Sequence, residues 1–199
     1  MATFFVTQFD SLSPEEVDML LRLQARGHEI GCHGARHLLA EPFVKERGWQ
    51  AYLKADVFPA LKAMEAAGLR VRSFAWPYGD GFRWGELKLR RHFAATRAVT
   101  PLHPRKGLPG TDKVFFRPGK RKRFHSASFD RNGGADLTTI QEALLRAKKR
   151  GEVLLLHSHA PCLPESGQEY CFDIPALEAI LESANKLGIR FYTVNQFAG

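Results

Sequence analysis

The chain predicts an α/β fold in which parallel strands alternate with helices. Short runs of aliphatic, aromatic and β-branched residues recur between stretches with helical apolar spacing. That alternation is the signature of parallel strands joined by right-handed crossovers. The run "EVLLLH", 152–157, is apolar almost throughout, as expected of a strand buried on both faces. A length of 199 residues suits a single domain over 1–199 with a substantial core.

The elements read in order as follows. "TFFVT", 3–7, is a strand. In "SPEEVDMLLRLQARG" Ser13 caps a helix, Pro14 takes its first position and Glu16 completes a capping box. Val17, Leu20, Leu21 and Leu23 form its apolar face, and Gly27 ends it. "HEIGCH" is the next strand. Residues 42–67 read as a long helix with Val57, Leu61 and Met64 at helical spacing, interrupted at Pro59. "RSFAWP" is a strand stopped by Pro77, "WGELKLRR" a helix and "FAATRAV" a strand. The stretch 100–135 is turn-rich, with a candidate strand at "VFFR". A helix over 137–150 turns Leu137, Ile140, Leu144 and Leu145 inward. After the 152–157 strand a loop runs to Phe172, Asp173 caps a helix, and "IRFYTV" is the last strand.

Composition narrows the function classes. Hydrophobic residues make up 44% and charged residues 25%, with no low-complexity tract and no solenoid repeat. No apolar run approaches the ~20 residues of a membrane span. The start "MATFFVTQFD" lacks a signal-peptide pattern, so the sequence as given reads as cytoplasmic. Net charge is +8, partly concentrated in "RPGKRKRFH", 117–125. The run reads as a solvated basic loop. A nucleic-acid surface is the alternative, but no recognition module accompanies the charge, and no nucleic-acid partner is expected. Of three cysteines, Cys162 and Cys171 bracket "CLPESGQEYC" and could pair in an oxidising compartment, but free thiols are the expectation for a chain without an export signal. Cys32 is expected to be a small buried residue, because strand alternation aims it opposite to His33.

The residues that carry chemistry follow strands. His33 and His37, four apart, follow the second. Trp76, Pro77 and Tyr78 follow the third, and His157 ends the strand 152–157. In parallel α/β folds the C-terminal strand ends build the site. Two imidazoles at this spacing can hold a metal, and Asp10 in "TQFDSLS" is a further candidate ligand on the same side.

"ATFFV", "GHEIGCHGARH", "FAWPYGD", "LLLHSH" and "GIRFYTV", in that order, resemble the polysaccharide deacetylase family of carbohydrate esterases. The resemblance implies an incomplete, irregular β/α barrel. It implies that His33 and His37 hold a divalent metal, often zinc, and that His157 gives a proton to the leaving amine. Pro77 and Tyr78, with Trp76 beside them, would shape the groove for an acetylated saccharide or polysaccharide. The chain departs from the family pattern twice. The Asp-Asp motif that supplies the base and a third ligand normally precedes "ATFFV", which here begins at Ala2, so a barrel lacking its first strand is expected. Ala75 also stands where many members carry an arginine. Two functions are therefore expected in competition: removal of acetyl groups from N-acetylated sugars, or saccharide binding by a catalytically impaired relative.

Overall fold

The computed structural model of the chain describes residues 1–119, 123–162 and 168–197. The basic run 117–125 therefore lies partly outside the described residues, at Lys120, Arg121 and Lys122. The chain divides into two compact units. The first holds Met1–Ala98 with the described parts of Gly119–Arg123 and Phe191–Gly199; the second holds Val99–Pro118 and Phe124–Arg190.

The first unit is built on four parallel strands in the order β1 (Thr3–Val6), β2 (Glu29–Cys32), β3 (Ser73–Ala75) and β4 (Ala95–Val99). Helix α1 (Pro14–Ala25) forms the β1–β2 crossover and begins with the expected capping box. Ser13 Oγ accepts from the Glu16 N–H and Glu16 Oε2 from the Ser13 N–H. The expected long helix over 42–67 is instead three segments, α2 (Ala40–Arg47), α3 (Trp49–Tyr52) and α4 (Phe58–Ala66). The break falls at Gly48, whose φ of 84° no other residue type adopts readily. A single π-helical turn, Leu53–Val57, separates α3 from α4. Pro59 lies in the first turn of α4, where its missing N–H costs nothing. Helix α5 (Arg83–Leu89) joins β3 to β4.

Strand register sorts side chains onto two faces. Cys32 pairs with Phe74, and Ile30, Cys32, Phe74 and Trp76 bury themselves against Tyr52, Val57, Met64, Leu89 and Phe93. Cys32 is fully buried in that cluster, as expected, and burial pushes its thiol up to about 12. The opposite face carries Phe5, Gly31, His33, Ser73, Ala75 and Arg97. "IRFYTV" makes no ladder among the described residues. Its last backbone groups bond to side chains instead: the Val194 N–H donates to Thr3 Oγ1 at 2.9 Å and the Asn195 N–H to Glu29 Oε2 at 3.0 Å. A 3₁₀ turn, Val194–Phe197, closes the segment.

In the second unit β5 (Phe115–Phe116), within the candidate "VFFR", pairs antiparallel with β7 (Val153–Leu154). Strand β6 (Arg123–Ser128) pairs parallel with β8 (Leu156–His157). "EVLLLH" is thus two short strands divided at Leu155, and its residues are only half-buried. Helix α6 (Leu137–Arg150) is capped by the Asp136 carboxylate, 2.8 Å from the Thr139 N–H. It buries Ile140, Ala143, Leu144 and Ala147, whereas Leu137 and Leu145, expected inside, are exposed. Strands β9 (Ala160–Pro161) and β10 (Cys171–Phe172) pair parallel. Beside them Cys162 and Cys171 form a disulfide where free thiols were expected. Helix α7 (Ile174–Lys186) starts after Asp173, which ion-pairs with Arg131 at 2.5 Å and makes no side-chain cap.

The parallel strands and helical crossovers make a mixed α/β fold of the class expected. No helix among the described residues is long and apolar enough to cross a membrane.

Candidate functional site

The chain leaves β2 and turns through Gly34 and Ala35 to His37, so both histidines lie in one short loop at the C-terminal end of the strand. His33 Nδ1 lies 2.9 Å from the Ala75 carbonyl oxygen. A carbonyl only accepts, so Nδ1 carries the ring hydrogen and Nε2 presents its lone pair. That Nε2 lies 3.2 Å from Nε2 of His37, and the two rings meet edge to face. Two imidazoles on one tetrahedral zinc, each at about 2.0–2.1 Å, would hold their nitrogens roughly 3.3 Å apart. The pair therefore fits a shared divalent ion as two of its ligands.

The loop is hung on a residue that sequence reasoning missed. Asp56, in the π-helical turn, is fully buried and lies directly beneath it. Its Oδ1 accepts the Arg36 N–H at 2.7 Å, and its backbone carbonyl accepts the Ala35 N–H at 2.8 Å. Burial raises the carboxyl above its usual range, against the pull of the Arg36 and Leu38 N–H groups, the Tyr52 hydroxyl and His37. Gly34 is required twice over. Its φ is 81°, and an added Cβ would lie 2.8 Å from Asp56 Cγ, inside van der Waals contact. The one available signal was a lone carboxylate in a helical stretch that had no solvent-facing excuse, set among Tyr52, Leu53 and Val57.

Among the described residues three non-glycine positions adopt left-handed backbone: Gln8, His37 and Tyr78. All three surround this loop. The Gln8 N–H donates to the Gly34 carbonyl at 3.3 Å, and the Tyr78 ring stands 4.6 Å from that of His37. Strained backbone of this kind gathers where surrounding structure fixes a site.

The "WPY" turn does not behave as one surface. Trp76 was expected to line the groove, but it is fully buried. Its ring packs against Tyr52, Phe74 and Phe82, and its Nε1–H donates to Glu86 Oε1 at 2.7 Å. Pro77 is buried as well, whereas Tyr78 is 67% exposed. Trp76 and Pro77 thus position the turn, and only Tyr78 offers a face to a ligand. Glu86, buried, anchors the turn by accepting from Trp76 and the Thr96 hydroxyl and by pairing with Arg123 at 3.3 Å. Arg123 also donates to the Gly81 carbonyl, so one cation of the basic run is structural rather than solvated.

Asp10 lies exposed in a 3₁₀ turn, Phe9–Ser11, after β1. Among the described residues no group of three or more His, Cys, Asp and Glu side chains is assembled as a metal site. In the second unit, His157 ends β8 and is half-buried. Two residues on, His159 makes the clearer dyad. Its Nδ1 lies 2.7 Å from Oδ2 of Asp130, whose side chain is almost fully buried. Burial alone would raise Asp130, but hydrogen bonds from Ser158, His159 and Ser128 outweigh it and hold the carboxyl below its usual range.

Parallel strands with paired imidazoles at a strand's C-terminal end define an α/β protein with a histidine pair at its candidate site. Residues 1–89 match the family model described as polysaccharide deacetylase. The match takes in His33, His37 and the Trp76–Tyr78 turn, and stops short of His157. No curated protein matches the chain.

Gly34→Ala is expected to lower unfolding stability by about 3 kcal/mol, from left-handed strain together with the clash against Asp56; urea denaturation measures it. Asp130 gives a pH signature. Its folded-state pKa lies below the unfolded value of about 3.9, so its contribution is full above that value and lost as pH falls through the folded-state one. Asp130→Asn should therefore be less stable than the wild type by about 2 kcal/mol at pH 6, and the gap should close as the pH is taken below about 4.

Proposed function

We propose that the protein is a metal-dependent hydrolase that removes acetyl groups from N-acetylated sugars or polysaccharides. The observation that carries this is the His33–His37 pair, its ring nitrogens 3.2 Å apart within the stretch that matches the deacetylase family. His33 and His37 would hold the ion, and neutral nitrogen donors at this spacing favour zinc. Asp10 is the carboxylate proposed to join them. A divalent metal bound there supplies Lewis acidity, which brings a water's pKa toward neutrality and polarises an amide carbonyl.

The chain's own groups divide the remaining work. The Ala75 carbonyl keeps His33 in one tautomer and orientation, so its Nε2 is ready as a donor. The exposed Tyr78 ring, beside His37, offers an aromatic face on which a sugar ring can stack. Buried Trp76, tied to Glu86, keeps that turn from moving. His157 is proposed to pass a proton to the departing nitrogen, a role supported by the "LLLH" motif and its place in the motif order.

A second reading, a saccharide-binding relative without turnover, is favoured by one observation: no third ligand joins the histidine pair among the described residues. One set of measurements separates them. Purified protein is loaded with zinc or cobalt, metal content is determined after dialysis, and acetate release is followed on N-acetylated chito-oligosaccharides. Stoichiometric metal with acetate release, both lost in His33→Ala, is the expected result. Oligosaccharide binding without release selects the second reading, and failure to take up either metal overturns the metal-dependent one.

A further inference from the structure

Arg97 is a buried arginine that makes no ion pair among the described residues. It sits on β4, directly paired with Ala75 of β3, and only 8% of it is exposed. Among the described residues no carboxylate forms an ion pair with it, and its Nε has no hydrogen-bond partner. The contact its guanidinium does make is with the face of Phe5, 5.2 Å from the ring centroid. Burial pushes the group down to about 10. An unpaired buried cation is costly to fold around, and where one persists it marks a place for a ligand.

The surroundings are arranged around that vacancy in charge. Parallel register puts Phe5, Gly31, Ser73, Ala75 and Arg97 on one face of the strands. Gly31 lets the Phe5 ring and Ser73 Oγ lie close against the strand: a Cβ there would meet the ring at 2.6 Å and Ser73 Oγ at 2.7 Å. Ser73 Oγ is itself fully buried and lacks a partner, a second orphaned polar atom on the same face. Glu29, a carboxylate further back on this face, receives the Thr3 hydroxyl and the Asn195 N–H on Oε2, and its Oε1 is a further buried atom without a partner. The Phe5 side is only half-buried, which gives solvent a way in.

We propose that Arg97 and Ser73 form a carboxylate-binding site in the first unit. A guanidinium fork matches the two coplanar oxygens of a carboxylate, and the Ser73 hydroxyl adds a donor. A dianion is disfavoured, because an aromatic wall and one cation do not compensate the desolvation of two charges. The carboxylate can belong to a small free acid or be borne on a sugar, as in a uronic acid. Ala75 links this site to the histidine pair, since its carbonyl receives His33 and its strand position receives Arg97. The proposal needs neither metal nor turnover, so it stands or falls apart from the hydrolase reading.

The test is ligand-dependent thermal stability, confirmed by calorimetric titration of the metal-free full chain with sodium acetate, sodium glucuronate and sodium chloride at matched ionic strength. A saturable rise in Tm with acetate or glucuronate, absent with chloride, is expected for the wild type, and whichever acid gives it names the source. Arg97→Gln should abolish the rise. Arg97→Lys, which keeps the charge and guards against misfolding, should weaken binding at least tenfold by losing the fork. Equal responses in wild type and Arg97→Gln, a chloride response of the same size, or no response to either acid would each overturn the site. So would a full-strength response in Arg97→Lys.

Discussion

The contact between Asp56 and the loop 34–38 is the constraint on which the site depends. A buried carboxylate that receives the Arg36 N–H, on a residue whose own carbonyl receives the Ala35 N–H, fixes the backbone between the two histidines. From that follows the need for glycine at position 34, the left-handed turn at His37 and the approach of its ring to His33 and Tyr78. The π-helical turn that presents Asp56 is part of the same device. One extra residue per turn, between two ordinary helices, aims a side chain where a regular helix would not.

The two units share a way of using buried acids. Asp56, Glu86 and Asp130 are all nearly inaccessible, and each receives neutral donors, joined at Glu86 by the Arg123 guanidinium. Glu86 holds the Trp76–Pro77–Tyr78 turn in the first unit, and Asp130 holds the residues that follow His157 in the second. In each case a carboxylate buried in the fold orients backbone or ring groups next to a half-exposed residue. Donors gathered on a buried carboxylate in this way favour one arrangement, because losing one of them leaves the acid less compensated.

Much of the fold was legible because its signals are local. The α1 capping box, the β1 to β4 runs and the alternation of strands with helices depend on residues close in sequence. The misreadings trace to tertiary effects. Helical periodicity over 42–67 carries no mark of an inserted π turn, and Gly48 competes with the more conspicuous Pro59 as the breaker. "IRFYTV" has every local property of a strand, yet its terminal N–H groups find side chains of β1 and β2 instead. Within the site, His33, His37 and Tyr78 were legible from spacing and resemblance. Trp76 was misjudged because exposure of an aromatic after a strand depends on which face the register gives it. Asp56, Glu86 and Arg97 were not found, since a buried charge looks in sequence like a solvated one.

The over-determined loop has a consequence for which ions the pair would accept. Its backbone is held in strained conformations by contacts on every side, so the two ring nitrogens cannot spread freely to suit whatever arrives. A gap set by folding acts as a gauge. With the gap fixed, bond length sets the angle at the ion: bonds of about 2.0–2.1 Å span it near the tetrahedral angle, whereas calcium, whose bonds run to about 2.3–2.6 Å, would span it closer to a right angle. The fold would then choose among ions by the coordination angle it imposes.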